Sequence, residues 1–284
     1  MRSSVIRSFD PEMTVNSGQA FLWHQVNKNW YGVHGDCIVK FSKSADGFEF
    51  SSFPERKGVE RDLFRLDDDI DSISAEMSRD PLIAGLLNTY GGLRLMRQDP
   101  AQCLFSFVCA SNINIPMIRK MLYTLAKRYG QKVFVDGMEF HTFPSPEAMS
   151  GVSESDLRAC GLGYRAKAVK AVAQGIESGT LDLALLKKAG YADAKQELLK
   201  IYGVGPKIAD CVLLFSLDKL EAFPIDVWIA RALAAHYDWL GKFGEKLTAR
   251  QYEALSESAR KHFGCHAGYA QQYLYYHMRQ GKKW

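Results

Sequence analysis

Residues 203–211 read Gly-Val-Gly-Pro-Lys-Ile-Ala-Asp-Cys, and after an apolar run residues 223–228 read Phe-Pro-Ile-Asp-Val-Trp. Gly203 and Gly205 bracket a tight turn, because glycine alone takes a positive φ without steric cost. Pro206 suits the first position of a helix, where no N–H is needed. Lys207 then falls in the first turn of that helix, where free N–H groups and the helix dipole favour a phosphate over another cation. Cys211 lies four residues on, on the same face. Asp226 stands just before an apolar-periodic run (Val227, Ile229, Ala230, Leu233) and reads as its N-cap. The preceding Glu197–Tyr202 segment completes helix, glycine hairpin, helix over 193–217. Such a hairpin offers backbone N–H groups to a DNA phosphate, or it is an αα-corner that only needs its glycines.

Working outward, the chain divides in two. Residues 15–53 are β-rich: Trp30–Val33, Cys37–Phe41 and Phe48–Phe50 are separated by turn signals at Asn27–Asn29, His34–Asp36 and Asp46-Gly47. Residues 59–90 mix an acidic turn with helical segments. From residue 91 the pattern reads almost wholly helical. Asp99-Pro100 and Ser153-Glu-Ser-Asp156 open two of the helices. The expectation is an N-terminal α+β domain over 1–90, built on an antiparallel sheet, and an all-helical region over 91–284.

The 284 residues are 47% hydrophobic and 24% charged, which describes an ordinary globular chain. Charge is uneven. Residues 1–90 carry 10 Lys/Arg against 14 Asp/Glu, and the remainder carries 26 against 18. A basic second part suits a polyanion. Six cysteines at 37, 103, 109, 160, 211 and 265 include no Cys-x-x-Cys pair, so reduced thiols are expected and neither a disulfide framework nor an iron–sulfur cluster is. No apolar run reaches membrane-spanning length. The first ten residues lack the apolar stretch of a secretory leader, so a cytoplasmic or nucleoid location is expected.

A lysine nucleophile must lose its proton against an intrinsic pKa of about 10.4. Burial and the positive helix end push Lys207 down, whereas a neighbouring Asp226 has the opposite effect. That carboxylate can stabilise positive charge developing on a sugar.

These residues resemble the HhH-GPD superfamily of base-excision DNA glycosylases, in its 8-oxoguanine DNA glycosylase branch. The supporting strings are Ser17–Trp23, Gly92–Pro100, Cys103–Phe107, Ser111–Asn114, Gly161–Ala166, Gly203–Lys207, Pro224–Asp226 and Gly268–Gln271, in family order over most of the chain. The resemblance implies a TBP-like sheet domain followed by helical glycosylase domains. It implies a bifunctional glycosylase/β-lyase in which Lys207 attacks the sugar C1′ to form a Schiff base and Asp226 assists. It places Gly18 as the backbone carbonyl that senses the N7–H of 8-oxoguanine. Cys211 and Tyr275 would sandwich the base, Gln271 would read its Watson–Crick edge, and Phe215 and Pro224 would line the pocket. Asn112, with Asn114 beside it, would fill the gap left by the flipped nucleotide. Tyr164 would act as wedge and Arg165 would read the orphan cytosine. Gly203, Val204 and Gly205 would grip phosphate. Two positions depart from the pattern. Met117 stands where animal members usually have a second cytosine-reading arginine, and a thioether cannot make those hydrogen bonds. Trp228 stands where a histidine often contacts phosphate.

The implied partner is duplex DNA bearing 8-oxoguanine, bound by a monomer. No metal or cofactor is implied for chemistry. Carbonyls near Leu199, Ile201 and Val204 are implied to hold a monovalent or calcium ion between hairpin and phosphate. Two other readings are a glycosylase for another damaged base, such as an alkylated one, and a non-catalytic hairpin module that only grips DNA.

Overall fold

The computed structural model describes residues 9–240, 243–244 and 246–281. Residues 1–8, which carry most of the segment read for a leader, lie outside that range. Helix α1 (Pro11–Asn16) precedes strands β1 (Trp23–Val26), β2 (Asn29–His34), β3 (Cys37–Ser44) and β4 (Gly47–Phe53). The strands form one antiparallel meander in the order β1-β2-β3-β4. Each connection is a two-residue turn, since Val26 pairs with Asn29, His34 with Cys37 and Ser44 with Gly47.

Both faces of the sheet are covered. Trp23, Trp30, Val39 and Phe41 face Phe64 and Val15 in a small core. Tyr31, Val33 and Ile38 face the main helical core. Trp23 lies directly over Gly32, where a Cβ would come within 2.2 Å of the indole ring. A side chain at 32 would expel that tryptophan.

Helices α2 (Val59–Leu63), α3 (Ile70–Met77) and α4 (Pro81–Tyr90) lead into the helical region. There α5 (Pro100–Cys109), α6 (Ile115–Tyr129), α7 (Pro146–Gly151), α8 (Glu154–Leu157) and α9 (Arg165–Glu177) are followed by α10 (Leu183–Lys188), α11 (Tyr191–Leu199), α12 (Pro206–Ser216), α13 (Val227–His236), α14 (Ala249–Phe263) and α15 (Ala267–Arg279). Asp99 and Ser153 cap α5 and α8 as their sequence signals require. Helix α5 packs against α12 and α9, and α13 packs against α15.

The helical reading of the second part is corrected at one place. Strands β5 (Lys132–Val135) and β6 (Met138–His141) form a hairpin. Its turn is Asp136-Gly137, both at positive φ (51° and 75°), so the strong Asp-Gly signal prevails over the surrounding helical pattern.

A charge cluster fastens the first part to the end of α12. Asp218 Oδ1 receives Arg65 at 2.5 Å and Arg97 at 2.9 Å, and Lys187 reaches its Oδ2 at 3.0 Å. Burial pushes the Asp218 carboxyl up, but Arg65, Arg97 and Lys187 outweigh it and bring it down to about 2. A carboxyl depressed in the folded state contributes stability above its unfolded pKa and loses it as pH falls through the folded one. The contribution is about 2 kcal/mol, lost between about pH 4 and pH 2. Urea unfolding at stepped pH is expected to show that loss in the wild type. Asp218→Asn should be less stable than the wild type by about that amount at neutral pH and converge on it by about pH 2.

Candidate active site

One cleft of about 970 Å³ runs between the loop after α1, the end of α5, the hairpin between α11 and α12, the Pro224–Trp228 segment and α15. Lys207 and Asp226 both line it. So do Gly18, Cys211, Phe215, Pro224, Gln271 and Tyr275, the whole set expected around the base. Asn112, Asn114, Gly203, Gly205 and Trp228 stand on its rim, whereas Val204 is buried and Met117, Tyr164 and Arg165 lie outside the lining.

Lys207 is placed by the hairpin. Gly203 has φ +85°, and a Cβ there would come within 2.4 Å of Ala168 on α9, so this glycine is required twice over. Gly205 is different. Its φ is −95°, and open space surrounds the point where a Cβ would stand, so the expectation that both glycines supply positive φ holds only for Gly203. Gly205 caps the helix as an extended residue. Val204 N–H donates to the Ile201 carbonyl at 3.0 Å, which leaves that oxygen a second lone pair. Carbonyl oxygens suit a hard cation, so the hairpin fits the implied ion.

Asp226 is the N-cap of α13. Its Oδ1 accepts from Trp228 N at 3.0 Å and Ile229 N at 2.9 Å. Both bonds fall on one oxygen, so Oδ2 has no protein donor among the described residues. The cap and the cleft-facing carboxylate are one side chain.

The electrostatics correct one expectation. Burial does pull the Lys207 ammonium down, but the Cys211 sulfur and the Asp226 carboxylate pull it up, and the net direction is upward. Burial pushes the Cys211 thiol up to about 12, against the pull of the Lys207 ammonium. The resting amine is therefore an ammonium. It lies 5.5 Å from the Phe107 ring centroid, in cation–π range. Phe107 in turn stacks on Phe215 at 5.6 Å and meets Phe21 edge-on at 5.6 Å. Phe21 and Phe107 were not singled out from sequence. Both sit in apolar runs where a cleft wall and a core look alike.

Gly18 is held from both sides. Gln272 on α15 donates to the Ser17 carbonyl at 3.1 Å, and Gln19 binds the Arg94 carbonyl at 2.8 Å and Met96 N at 2.7 Å. Its φ is +85°, and a Cβ would come within 2.9 Å of the Tyr275 ring and 2.3 Å of Arg279. Arg279, also missed from sequence, lines the cleft with its guanidinium 5.7 Å from the Tyr275 ring centre. Gln271 is 4% exposed, and its Oε1 is buried without a protein partner among the described residues. Such an acceptor is costly unless a ligand donor meets it.

At the rim, Asn112 takes φ +50°, in the left-handed region. Asn114 caps α6 by accepting from Met117 N at 3.1 Å. Arg165 is turned back onto the Ser111 carbonyl, where the Tyr164 hydroxyl also donates at 3.2 Å. Met117 and Trp228 are exposed. Away from the cleft, Glu76, Cys265 and His266 are the group among the described residues whose ligand atoms converge. Glu76 and His266 are paired there at 2.6 Å.

The family model for the N-terminal domain of 8-oxoguanine DNA glycosylase matches residues 4–104, and that for HhH-GPD superfamily base excision DNA repair proteins matches residues 105–258. Over 97% of its length the chain is 30% identical to a probable N-glycosylase/DNA lyase of Methanothermobacter thermautotrophicus, covering 95% of that protein. It is 32% identical to an N-glycosylase/DNA lyase of Arabidopsis thaliana, over 93% of this chain and 75% of that one. The solved structure of the Clostridium acetobutylicum 8-oxoguanine glycosylase/lyase, in complex with double-stranded DNA containing cytosine opposite 8-oxoguanine, matches with a TM-score of 0.88 at 32% identity. That match covers 96% of this chain and 93% of the other.

Gly18→Ala is expected to leave the circular dichroism spectrum unchanged and to displace Tyr275. Fluorescence titration with a free oxidised purine should then show affinity reduced at least about tenfold, as a wall moved by a methyl demands.

Proposed function

Because the chain belongs to the 8-oxoguanine DNA glycosylases of the HhH-GPD superfamily, which are N-glycosylase/DNA lyases, we propose that it excises 8-oxoguanine from duplex DNA with Lys207 as nucleophile and Asp226 as its electrostatic partner. The observation that carries the reading is the lysine and the aspartate lining one cleft together with Gly18, Cys211, Gln271 and Tyr275. A flipped purine slides between the Cys211 sulfur and the Tyr275 ring. Its edge donates to the unpartnered Gln271 Oε1. The Gly18 carbonyl accepts the N7–H that guanine lacks, the one donor/acceptor inversion separating lesion from normal base.

As the C1′–N9 bond breaks, the Lys207 nitrogen bonds to C1′ and the base leaves with the electron pair. Asp226 stabilises the positive charge on the sugar. The attached nitrogen gives up one of its two protons, for which the departing base is a ready acceptor, and its lone pair then opens the ring to a protonated Schiff base as the ring oxygen takes up a proton. Loss of a C2′ proton then expels the 3′ phosphate oxygen, leaving a cut 3′ to the lesion. Gly203 and Gly205 present hairpin N–H groups to the backbone, whereas the buried Val204 spends its N–H on the Ile201 carbonyl, and a hard cation on the hairpin carbonyls would join loop to phosphate. Asn112 and Tyr164 fill the vacated stack, and Arg165, released from Ser111, reads the orphan cytosine.

The amine must be neutral to attack, and Asp226 holds it protonated at rest. Single-turnover base release is therefore expected to rise with pH, by up to about tenfold per unit below the amine pKa. Borohydride should trap a protein–DNA adduct from an 8-oxoguanine:C duplex, and Lys207→Gln should abolish both adduct and cleavage. Retained cleavage by Lys207→Gln, or no trapped adduct with the wild type, would favour the water-using glycosylase or the non-catalytic module.

Met117 removes one set of cytosine-reading hydrogen bonds, so opposite-base preference is relaxed. Excision opposite A, G or T is expected within about a hundredfold of that opposite C, since one of two cytosine-reading contacts, each worth about 1–3 kcal/mol, is lost. A rate opposite A slower than that contradicts this.

A further inference from the structure

Beside the cleft, a buried polar chain that starts on α12 ends on the backbone next to Asp226. Asp210 is fully buried, three residues after Lys207 and one before Cys211. Its Oδ1 accepts from Tyr191 at 2.7 Å, and its Oδ2 accepts from Tyr252 at 2.7 Å and Lys195 at 3.1 Å. Lys195 is itself buried and spends its other two protons on Tyr191 at 3.0 Å and Glu253 at 2.7 Å. Its ammonium stands 5.4 Å and 5.5 Å from the Tyr191 and Tyr252 ring centres. Every donor in the set has an acceptor, as a buried charged network requires.

That network fixes which way the Tyr252 hydroxyl points. A tyrosine has one proton to donate, and an ionised carboxylate can only accept. The proton therefore goes to Asp210, and the oxygen's lone pair is left for the Ile225 N–H, which donates to it at 3.2 Å. Ile225 is 4% exposed and lies between Pro224, which has no N–H, and Asp226. This bond is thus the side-chain tie on the segment that delivers Asp226 to the cleft. Tyr252 also lines the cleft, so the tie is made at its wall.

We propose that Tyr252 is a positioning residue for base release: with its hydroxyl aimed by Asp210 and Lys195, it holds the Ile225 backbone so that the Asp226 carboxylate faces Lys207. The proposal rests on the reading that Lys207 and Asp226 carry the reaction. It gives the Asp210 triad a task that neither DNA contact nor packing accounts for. A shift of about an ångström at a charge-stabilising group is enough to slow a reaction by orders of magnitude.

The test compares single-turnover base release and duplex affinity for Tyr252→Phe, Asp226→Asn and the double variant. Tyr252→Phe is expected to slow release at least about tenfold per folded molecule, with duplex affinity within about twofold of wild type. If Tyr252 acts through Asp226, adding Tyr252→Phe to Asp226→Asn causes no further loss. A Tyr252→Phe protein with a lower thermal midpoint and an unchanged rate overturns the proposal, and so does a fully additive double variant. Should Tyr252→Phe fail to fold, amide hydrogen exchange on the wild type decides. Ile225 N–H is expected to be protected like the core helices, and exchange at the pace of an exposed loop overturns the proposal. Failure of the underlying reading has a different signature. Lys207→Gln would still be trapped by borohydride and Asp226→Asn would keep the wild-type rate, and the proposal would fall with it.

Discussion

Helix α12 is buried from Ile208 to Ser216, and the site depends on that burial. A helix enclosed on all sides cannot roll, so the direction of each side chain along it is set by residue number alone. Lys207 and Cys211, four apart, open into the cleft. Asp210, three after Lys207 and about 60° round the helix from it, meets Tyr191 of α11 and Tyr252 of α14. The same helix therefore presents a cation to solvent-accessible space and an anion to the interior. The interior anion is tolerable because Lys195, Tyr191 and Tyr252 together satisfy it. An unpaired carboxylate at that depth would be protonated or would unseat the helix.

Asp226 shows a second constraint. A carboxylate at a helix N-terminus is favoured by two free N–H groups and by the dipole, so the chain would place an aspartate there without any chemistry. The cap consumes Oδ1 and leaves Oδ2. A structural requirement thus preorients the functional group, and little further ordering is needed when a substrate arrives. The loop after α1 follows the same logic. Gln19 and Gln272 pin the residues flanking Gly18 to two different elements, so a backbone carbonyl becomes as rigid as a side chain in a core.

Much of this was legible from sequence. The two-residue β turns, the Asp99, Ser153 and Asp226 caps, and the helix–hairpin–helix all rest on local chemistry that a short window contains. That Gly18, Cys211, Gln271 and Tyr275 would share one cleft came from the order of short strings along the chain. What stayed hidden depends on distance in space. Tyr252 and Lys195 lie 42 and 15 residues from Asp210, and nothing in their own neighbourhoods marks them as partners. Arg279 reads as a solvated cation at a helix end, where cations are common. The β5–β6 hairpin was carried by a single Asp-Gly step inside a helical region. Gly205 reads like Gly203, and only the backbone angle separates a glycine needed for its φ from one that merely precedes a helix.

The direction of the Lys207 shift was the least readable quantity, because it is a difference between opposing effects. Burial and the helix end favour the free amine, and their size can be argued from sequence. The opposing pull depends on how near Asp226 comes, which only the fold determines. The outcome, an ammonium held beside a carboxylate, looks ill suited to a nucleophile until the reaction coordinate is considered. As the glycosidic bond stretches, positive charge grows on the sugar within reach of both groups. A like charge disfavours the ammonium, and the same Asp226 that held the proton is increasingly taken up by the sugar cation. Both changes loosen the hold on the ammonium proton. On the proposed mechanism the lysine is therefore kept inert while the cleft is empty, and the neutral amine that attacks is easier to reach once a sugar is in place.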